Sequence, residues 1–136
     1  QLQSSAASDV YKRQIGMSIC YDLRFPSLYR KLSLKGVNMI SIPAAFTRPT
    51  GRSHWRTLIK ARAIENLSFV FAPAQCGINS KTRKTYGHSM IVSPWGEIIA
   101  EMEGKPGTIS AEIDTSDVLK VRKMIPSYKG TSIEKK

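Results

Sequence analysis

Apolar positions fall into two patterns along the chain, short continuous or alternating runs and runs with helical spacing. The first run, Ile15 to Cys20, is typical of a buried strand. Pro26 suits the first turn of a helix, and Gly36 is a common helix end. The run from Val37 to Pro43 predicts the next strand. Strand, helix and strand at this spacing predict a βαβ unit whose two strands are parallel and adjacent.

The remaining elements continue a mixed α/β pattern. Residues 44–53 are predicted as a loop at the C-terminal end of the second strand, the edge where open α/β sheets bind their ligands. We expect a polar loop at residues 76–87 and a tight turn at residues 94–97. Helices are predicted at 54–67 and 116–123, and strands at 68–75, 89–93, 98–102 and 108–114.

The two ends of the chain show neither the alternation of apolar residues typical of a strand nor the spacing typical of a helix. Residues 1–14 are polar and rich in Ser and Ala, and they resemble a translated sequencing-adapter tail. We therefore set them apart as an artefactual or disordered leader and expect the domain to cover residues 15–126. Residues 127–136 are predicted to be a flexible polar tail. A domain that begins within a strand is expected to be a fragment.

Charge and composition narrow the functional classes. The formal net charge is +11, but the basic residues are scattered and no aromatic residues alternate with them, so we expect no nucleic-acid partner. The longest apolar run, Phe69 to Ala74, is too short to cross a membrane. Two cysteines without a CxxC motif, and two histidines without ligand spacing, predict neither a metal site nor a disulfide framework. We expect no cofactor and a reducing, cytoplasmic location.

Cys20 is the first candidate for chemistry. Its position alone favours a small buried hydrophobe. However, Cys20 ends its apolar run, and Asp22 and Arg24 follow in a polar turn whose backbone N–H groups could face an oxyanion. Three roles are open for Arg24: a solvated charge, an ion-pair partner of Asp22, or a residue that binds a carboxylate of the substrate. The residues alone favour the pairing with Asp22.

A nucleophilic cysteine needs a base, and the chain offers no obvious one. His54 opens a helix, where a capping or packing role is expected. His88 lies between a glycine and a buried strand, and we expect its ring to be hydrogen-bonded in the core. Glu65 is best explained as a charge at a helix end. The search for a partner of Cys20 within these residues therefore fails.

Several motifs, in order, resemble the carbon–nitrogen hydrolase (nitrilase) superfamily. Its nearest branch comprises the Nit-type amidases that act on deaminated glutathione, with the ω-amidases beside them. The resemblance covers about residues 15–130. The matching stretches are ICYDLRFP (19–26), PAAFT (43–47), TGRSHW (50–55), ARAIEN (61–66), YGHSM (86–90) and PWGE (94–97).

The resemblance implies a thiol amidase with a Glu-Lys-Cys triad that hydrolyses small linear amides through a cysteine acyl-enzyme and releases ammonia. Cys20 matches the nucleophile, and Tyr21 matches the residue whose backbone N–H holds the oxyanion. Arg24, Phe46 and Thr47 would line the substrate pocket. Arg56 stands where glutamate often follows the TGxxHW motif, which leaves the acyl substrate open.

The resemblance also implies a fold and an assembly. The family has a four-layer αββα sandwich, and this chain would supply its C-terminal half. The family's glutamate and lysine precede the cysteine and have no counterpart here, so the chain is expected to be inactive alone. The complete protein would form a homo-oligomer. The alternatives are an ω-amidase, another amide or carbamoyl hydrolase of this superfamily, or a non-catalytic basic binding module.

Overall fold

A computed structural model describes residues 13–129 of the chain, and they form one main sheet with helices packed against it. The strands are β1 (Ile15–Met17), β2 (Met39–Ser41), β3 (Phe69–Ala72), β4 (Cys76–Ile78), β5 (Lys84–Tyr86), β6 (Met90–Val92) and β7 (Ile98–Glu101). The α-helices are α1 (Pro26–Leu34), α2 (Arg48–Thr50), α3 (Arg56–Asn66) and α4 (Ser116–Met124). Shorter turns are 3₁₀ at Cys20–Arg24 and Pro126–Lys129, and a π-helical turn at Gly51–Trp55.

The main sheet has the strand order β1-β2-β3-β6-β7. The pairs β1–β2 and β2–β3 are parallel, which confirms the predicted βαβ unit. The pairs β3–β6 and β6–β7 are antiparallel, and β6 and β7 form the predicted hairpin, with an irregular register at Ile91 and Val92. The sheet therefore combines parallel strands that carry helical crossovers with an antiparallel edge.

One face of the sheet carries the core. Ile40, Val70 and Val92 are in register across three strands, and all three are fully buried. Helices α1 and α3 cover this face, with Tyr29 and Ile59 in the same apolar cluster. Burial of these side chains supplies the main force that holds the helices on the sheet.

The opposite face of the sheet is apolar and is open at β1, whereas Phe69 and Ile91 on the same face of β3 and β6 are buried. Side chains alternate across a strand, so Ile15 and Met17 point away from the core face, and they are 55% and 68% exposed. Phe71, on the same side of β3, is only partly buried. An apolar sheet face of this kind is expected where a second layer covers it. No helix within residues 13–129 is long and apolar enough to cross a membrane.

The structure differs from the predicted elements in three places. Residues 76–87, predicted as a polar loop, contain the antiparallel pair β4–β5. The prediction missed these strands because such short polar strands show little alternation of apolar and polar residues. Residues 48–53, predicted as part of a loop, are helical and run into α3. Residues 108–114 alternate in burial as predicted, with Ile109 half-buried, but pair with no described strand.

Of the predicted tail, residues 127–129 complete the 3₁₀ turn, and the rest lies outside the described residues, as do residues 1–12.

Gly51 lies where the helical segment passes the β4–β5 hairpin. A Cβ atom placed on Gly51 would overlap the side chain of Tyr86. Its backbone is ordinary right-handed helix, so the requirement is for space and not for a special conformation. The glycine therefore permits the close approach of the two segments.

Gly51→Ala is expected to lower the free energy of unfolding by about 1–3 kcal/mol, because the new methyl group must displace Tyr86. Urea unfolding measures the change. The control is Ser53→Ala, two residues later and exposed, which is expected to change stability by less than about 0.5 kcal/mol. Equal midpoints for both variants would show that the approach to Tyr86 is not tight.

Candidate functional site

Cys20 lies in a strained turn directly after the first strand. Its φ angle is +46°, in the left-handed region that side chains other than glycine seldom adopt. Such a conformation costs roughly 1–2 kcal/mol and persists only where the surrounding structure holds it. Nucleophiles on sharp turns after a strand are presented to substrate in this way. The half-buried thiol is thus held at the C-terminal edge of the parallel strands.

Hydrogen bonds fix the backbone on both sides of this turn. The Cys20 N–H donates to the carbonyl of Pro43 at 2.7 Å, which ties the turn to the segment after β2. The Ile19 N–H donates to Oδ2 of Asp22 at 2.9 Å. The Tyr21 N–H donates to no group of the described residues.

A buried arginine secures the far end of the turn. Nε and Nη2 of Arg62 both donate to the carbonyl oxygen of Leu23, at 3.0 and 2.8 Å. Its Nη1 donates to Glu65 at 2.9 Å, and the guanidinium lies over the Tyr29 ring at 5.4 Å. Arg62 is only 3% exposed, so its charge is balanced by these contacts and not by water. The turn is therefore bonded to α3 through one side chain.

The beginning of the turn is held from the core side. Ser18 Oγ and the Tyr29 hydroxyl form a 2.9 Å hydrogen bond, and Ser18 also donates to the carbonyl of Ser41. Burial raises the pKa of Tyr29, against the opposing effects of the Ser18 hydrogen bond and Arg62. The phenol therefore stays neutral and keeps its hydrogen bond over the whole neutral range.

Arg24 and Phe46 form one wall beside the thiol turn. The guanidinium carbon of Arg24 lies 5.2 Å from the centre of the Phe46 ring and 5.6 Å from that of Tyr21. Both terminal nitrogens of Arg24 are 3.3–3.4 Å from Nδ1 of His54. Trp55 supports Phe46 from below, with ring centres 5.1 Å apart. The cation is thus positioned by aromatic rings and an imidazole, in reach of an anionic group.

The structure contradicts two expectations for this region. Arg24 lies against His54, while Asp22 accepts the Ile19 N–H, so the Asp22–Arg24 pairing is wrong. His54 is exposed and does not cap the helix, which already begins several residues earlier, and its Nδ1 contacts Arg24 instead. His88 is half-buried, and its Nδ1 donates to the Tyr86 carbonyl at 2.9 Å. Neither histidine bonds to the Cys20 sulfur in the described part of the chain.

Five residues were singled out from the sequence, and the structure places them along one edge of the sheet. Tyr21 adjoins Cys20, and Arg24 spans from the turn to Phe46. Thr47 follows Phe46, but its hydroxyl bonds Thr50 at 2.8 Å. The sequence analysis did not single out Arg62 and missed its contact with Leu23. A charge within an otherwise apolar stripe was the available signal.

The described residues show no metal-binding arrangement. Within residues 13–129, His, Cys, Asp and Glu side chains form no group of three or more that could hold a metal ion. The thiol turn instead contains a half-buried thiol, a backbone N–H without an acceptor among the described residues and the Arg24 cation. These are the parts needed to attack a carbonyl carbon and to hold the oxygen that becomes negative.

Arg62→Met is expected to lower the free energy of unfolding by about 2–4 kcal/mol, because it removes charge-assisted hydrogen bonds and leaves a buried carbonyl without a donor. Arg56→Met on the same helix is the matched control. Arg56 also binds a carboxylate, Glu101 at 2.7 Å, but its side chain is 55% exposed. Its loss is expected to cost less than about 1 kcal/mol. Equal losses in urea unfolding would contradict the structural role of Arg62.

Comparison with known proteins gives consistent matches. A sequence profile of the family described as carbon-nitrogen hydrolase matches residues 2–123. A deaminated glutathione amidase from Synechocystis is 51% identical over 113 residues, covering 83% of this chain and 42% of that protein. The crystal structure of the C. elegans NitFhit protein superposes with a TM-score of 0.82 at 42% identity, covering 90% of this chain and 30% of that one.

A second solved structure agrees. Saccharomyces cerevisiae Nit3, described as a member of branch 10 of the nitrilase superfamily, gives a TM-score of 0.78 at 35% identity, over 82% of this chain and 41% of that one. This chain therefore spans less than half the length of each of these relatives.

The profile match bears on where the family domain lies in this chain. It begins at residue 2, inside the segment set apart as a leader, and ends at residue 123. It does not support the expectation that the chain is confined to the C-terminal part of the domain. The extent of the match, together with the motifs and the fold, shows that the chain belongs to the carbon-nitrogen hydrolase family.

Proposed function

We propose that this chain carries the nucleophile of a thiol amidase, an enzyme that hydrolyses small linear amides of the deaminated glutathione type. The observation that supports this most strongly is the left-handed backbone at Cys20, at the end of a parallel strand, in a turn with an unused N–H. The relatives named above include a deaminated glutathione amidase. We propose the same amidase activity for the enzyme to which this chain belongs.

In the first half of the proposed reaction, the Cys20 sulfur attacks the carbonyl carbon of the amide. A base takes the thiol proton and passes it to the nitrogen as the carbon–nitrogen bond breaks. The carbonyl oxygen becomes negative and is held by the Tyr21 N–H. Ammonia or an amine leaves, and the acyl group remains on the sulfur as a thioester.

In the second half, water attacks the thioester carbon. The base takes a proton from this water, the carbon–sulfur bond breaks, and the thiol recovers a proton. The product is a carboxylic acid. Arg24, Phe46 and Thr47 are placed to hold the acid end of the substrate, since a guanidinium supported by aromatic rings binds a carboxylate well.

The base and the oxyanion lysine are not supplied by the described side chains at the turn. We propose that they belong to parts of the enzyme outside these 136 residues, which agrees with a chain that spans less than half of its relatives' length. The exposed apolar side chains of Ile15 and Met17 support a second layer over the open sheet face, and assembly of the complete protein into a homo-oligomer. Two free thiols support a reducing cytoplasmic location.

Iodoacetamide, itself a small amide, tests the nucleophile. At limiting reagent, Cys20 is expected to be alkylated roughly tenfold faster than Cys76, because the left-handed turn presents its sulfur and the Tyr21 N–H would hold the carbonyl oxygen of the reagent. Peptide mass mapping of the folded chain measures both rates. Cys76 is the internal control, since it is also half-buried and unpaired.

Unfolding in urea should bring the two alkylation rates together, because the difference comes from the folded turn. Equal rates in the folded chain would count against an activated Cys20. In the complete enzyme, full modification of Cys20 is expected to abolish hydrolysis of deaminated glutathione. Turnover that survives complete labelling would overturn the assignment.

A further inference from the structure

The Arg24 guanidinium lies beside the thiol turn with a histidine, and not a carboxylate, as its hydrogen-bond partner. Its two terminal nitrogens lie 3.3 and 3.4 Å from Nδ1 of His54. The ion pairs found within residues 13–129 involve Arg56, Arg62 and Lys120 instead. The position of this cation therefore depends on a neutral side chain and on the aromatic rings beneath it.

The hydrogen bond between Arg24 and His54 determines where the imidazole carries its proton. A guanidinium has donors and no acceptor, so Nδ1 of His54 accepts and is unprotonated. The proton of the neutral ring then lies on Nε2. His88 is the opposite case, because its Nδ1 faces the carbonyl of Tyr86 at 2.9 Å and a carbonyl can only accept. The two histidines of the chain are thus opposite tautomers.

A neutral acceptor holds the cation without cancelling its charge. A carboxylate partner would fix Arg24 equally well but would compete with any anionic ligand for the same guanidinium. Nδ1 of His54 is almost equally distant from both terminal nitrogens, so it lies at the end of the guanidinium fork. The Nε edge of Arg24 donates to no group of the described residues, and such an edge can bind a carboxylate through two parallel hydrogen bonds.

The backbone that carries His54 is the π-helical turn Gly51–Trp55 ahead of α3. Turns of this kind are rare and occur frequently at functional sites. The Gly51 N–H donates to the Thr47 carbonyl at 2.7 Å, and Trp55 is fully buried with its indole N–H hydrogen-bonded. Both ends of the turn are therefore held, and the exposed imidazole reaches Arg24 from a fixed base.

We propose that His54 is a positioning residue that acts through Arg24, holding the guanidinium ready for the carboxylate of the substrate while leaving its charge uncompensated. This inference rests on the proposed amidase function, in which Arg24 holds the acid end of the substrate. A side chain that is already held loses less conformational entropy when a ligand binds to it. His54 therefore contributes to the selection of acidic over neutral amides and takes no part in bond cleavage.

The first test measures the selection of charge at the thiol. Iodoacetyl groups are attached to one, two or three glycines that end either in a carboxylate or in a carboxamide, and each pair alkylates Cys20 of the folded full chain. For at least one length, the carboxylate reagent is expected to react roughly two- to fivefold faster than its carboxamide twin. Arg24→Gln is expected to remove this preference. The ratio of the two rates is the readout, so a general change in thiol reactivity cancels.

Two substitutions of nearly equal shape separate the acceptor of His54 from its bulk. His54→Leu removes the acceptor and is expected to reduce the preference for the carboxylate roughly twofold. His54→Asn places an amide oxygen close to the position of Nδ1 and is expected to restore the preference. Ser53→Ala, at an exposed neighbour in the same turn, is the control and should keep the full ratio.

The second test reads the tautomers directly. Long-range ¹H–¹⁵N spectra of the full chain at about pH 8.5, where an imidazole is ordinarily neutral, should show the proton on Nε2 for His54 and on Nδ1 for His88. His88 is the internal control for the assignment. A proton on Nδ1 of His54 would overturn the positioning role, because Arg24 could not then donate to it.

The outcomes distinguish this inference from the proposed function. If iodoacetamide fails to favour Cys20 over Cys76, the proposed function fails. If it favours Cys20 but the wild-type chain shows no carboxylate preference, or His54→Leu keeps that preference in full, the positioning role is overturned and the amidase proposal stands. An equal loss in His54→Leu and His54→Asn would assign the effect to packing of the ring and would also overturn the positioning role.

Discussion

The hydrogen bonds from Arg62 to the carbonyl of Leu23 are the interaction on which the site depends. A cysteine in the left-handed region stores strain that would otherwise relax by rotation of the turn. Arg62 opposes that rotation because its guanidinium is buried and its planar group makes several bonds at once. Since Arg62 lies on α3 and Leu23 lies in the turn, the packing of that helix on the sheet is transmitted directly to the thiol.

The second support of the site comes from outside the main sheet. The β4–β5 hairpin lies against the segment after β2 through Phe46, Thr47 and Thr85. Gly51 permits this contact because Tyr86 occupies the space of a side chain. Trp55 adds a bond from its indole N–H to the carbonyl of His88 at 2.8 Å. The wall that Arg24 and Phe46 form beside the thiol turn is therefore built from three segments that are distant in sequence.

The exposed apolar side chains of β1 are consistent with the proposal that the base and the lysine lie outside these 136 residues. Ile15 and Met17 leave an apolar surface beside the strand that ends in the thiol turn. A layer that covered this surface would approach the same edge of the sheet, where the proposed base and lysine are needed. Exclusion of water by that layer would also strengthen the hydrogen bond that we propose between the Tyr21 N–H and an oxyanion.

By itself, the sequence determined the βαβ unit, the β6–β7 hairpin, the helices α1 and α4, and Cys20 at the end of a strand, since these follow from local periodicity and from Pro and Gly signals. Ordered motifs also pointed to the family. Tertiary structure alone decided the partners of Arg24 and Arg62, the β4–β5 hairpin and the absence of a ladder at 108–114. Long-range contacts set these features: a charge selects its partner by distance in space, and an alternating segment becomes a strand only where a neighbouring strand offers free backbone groups.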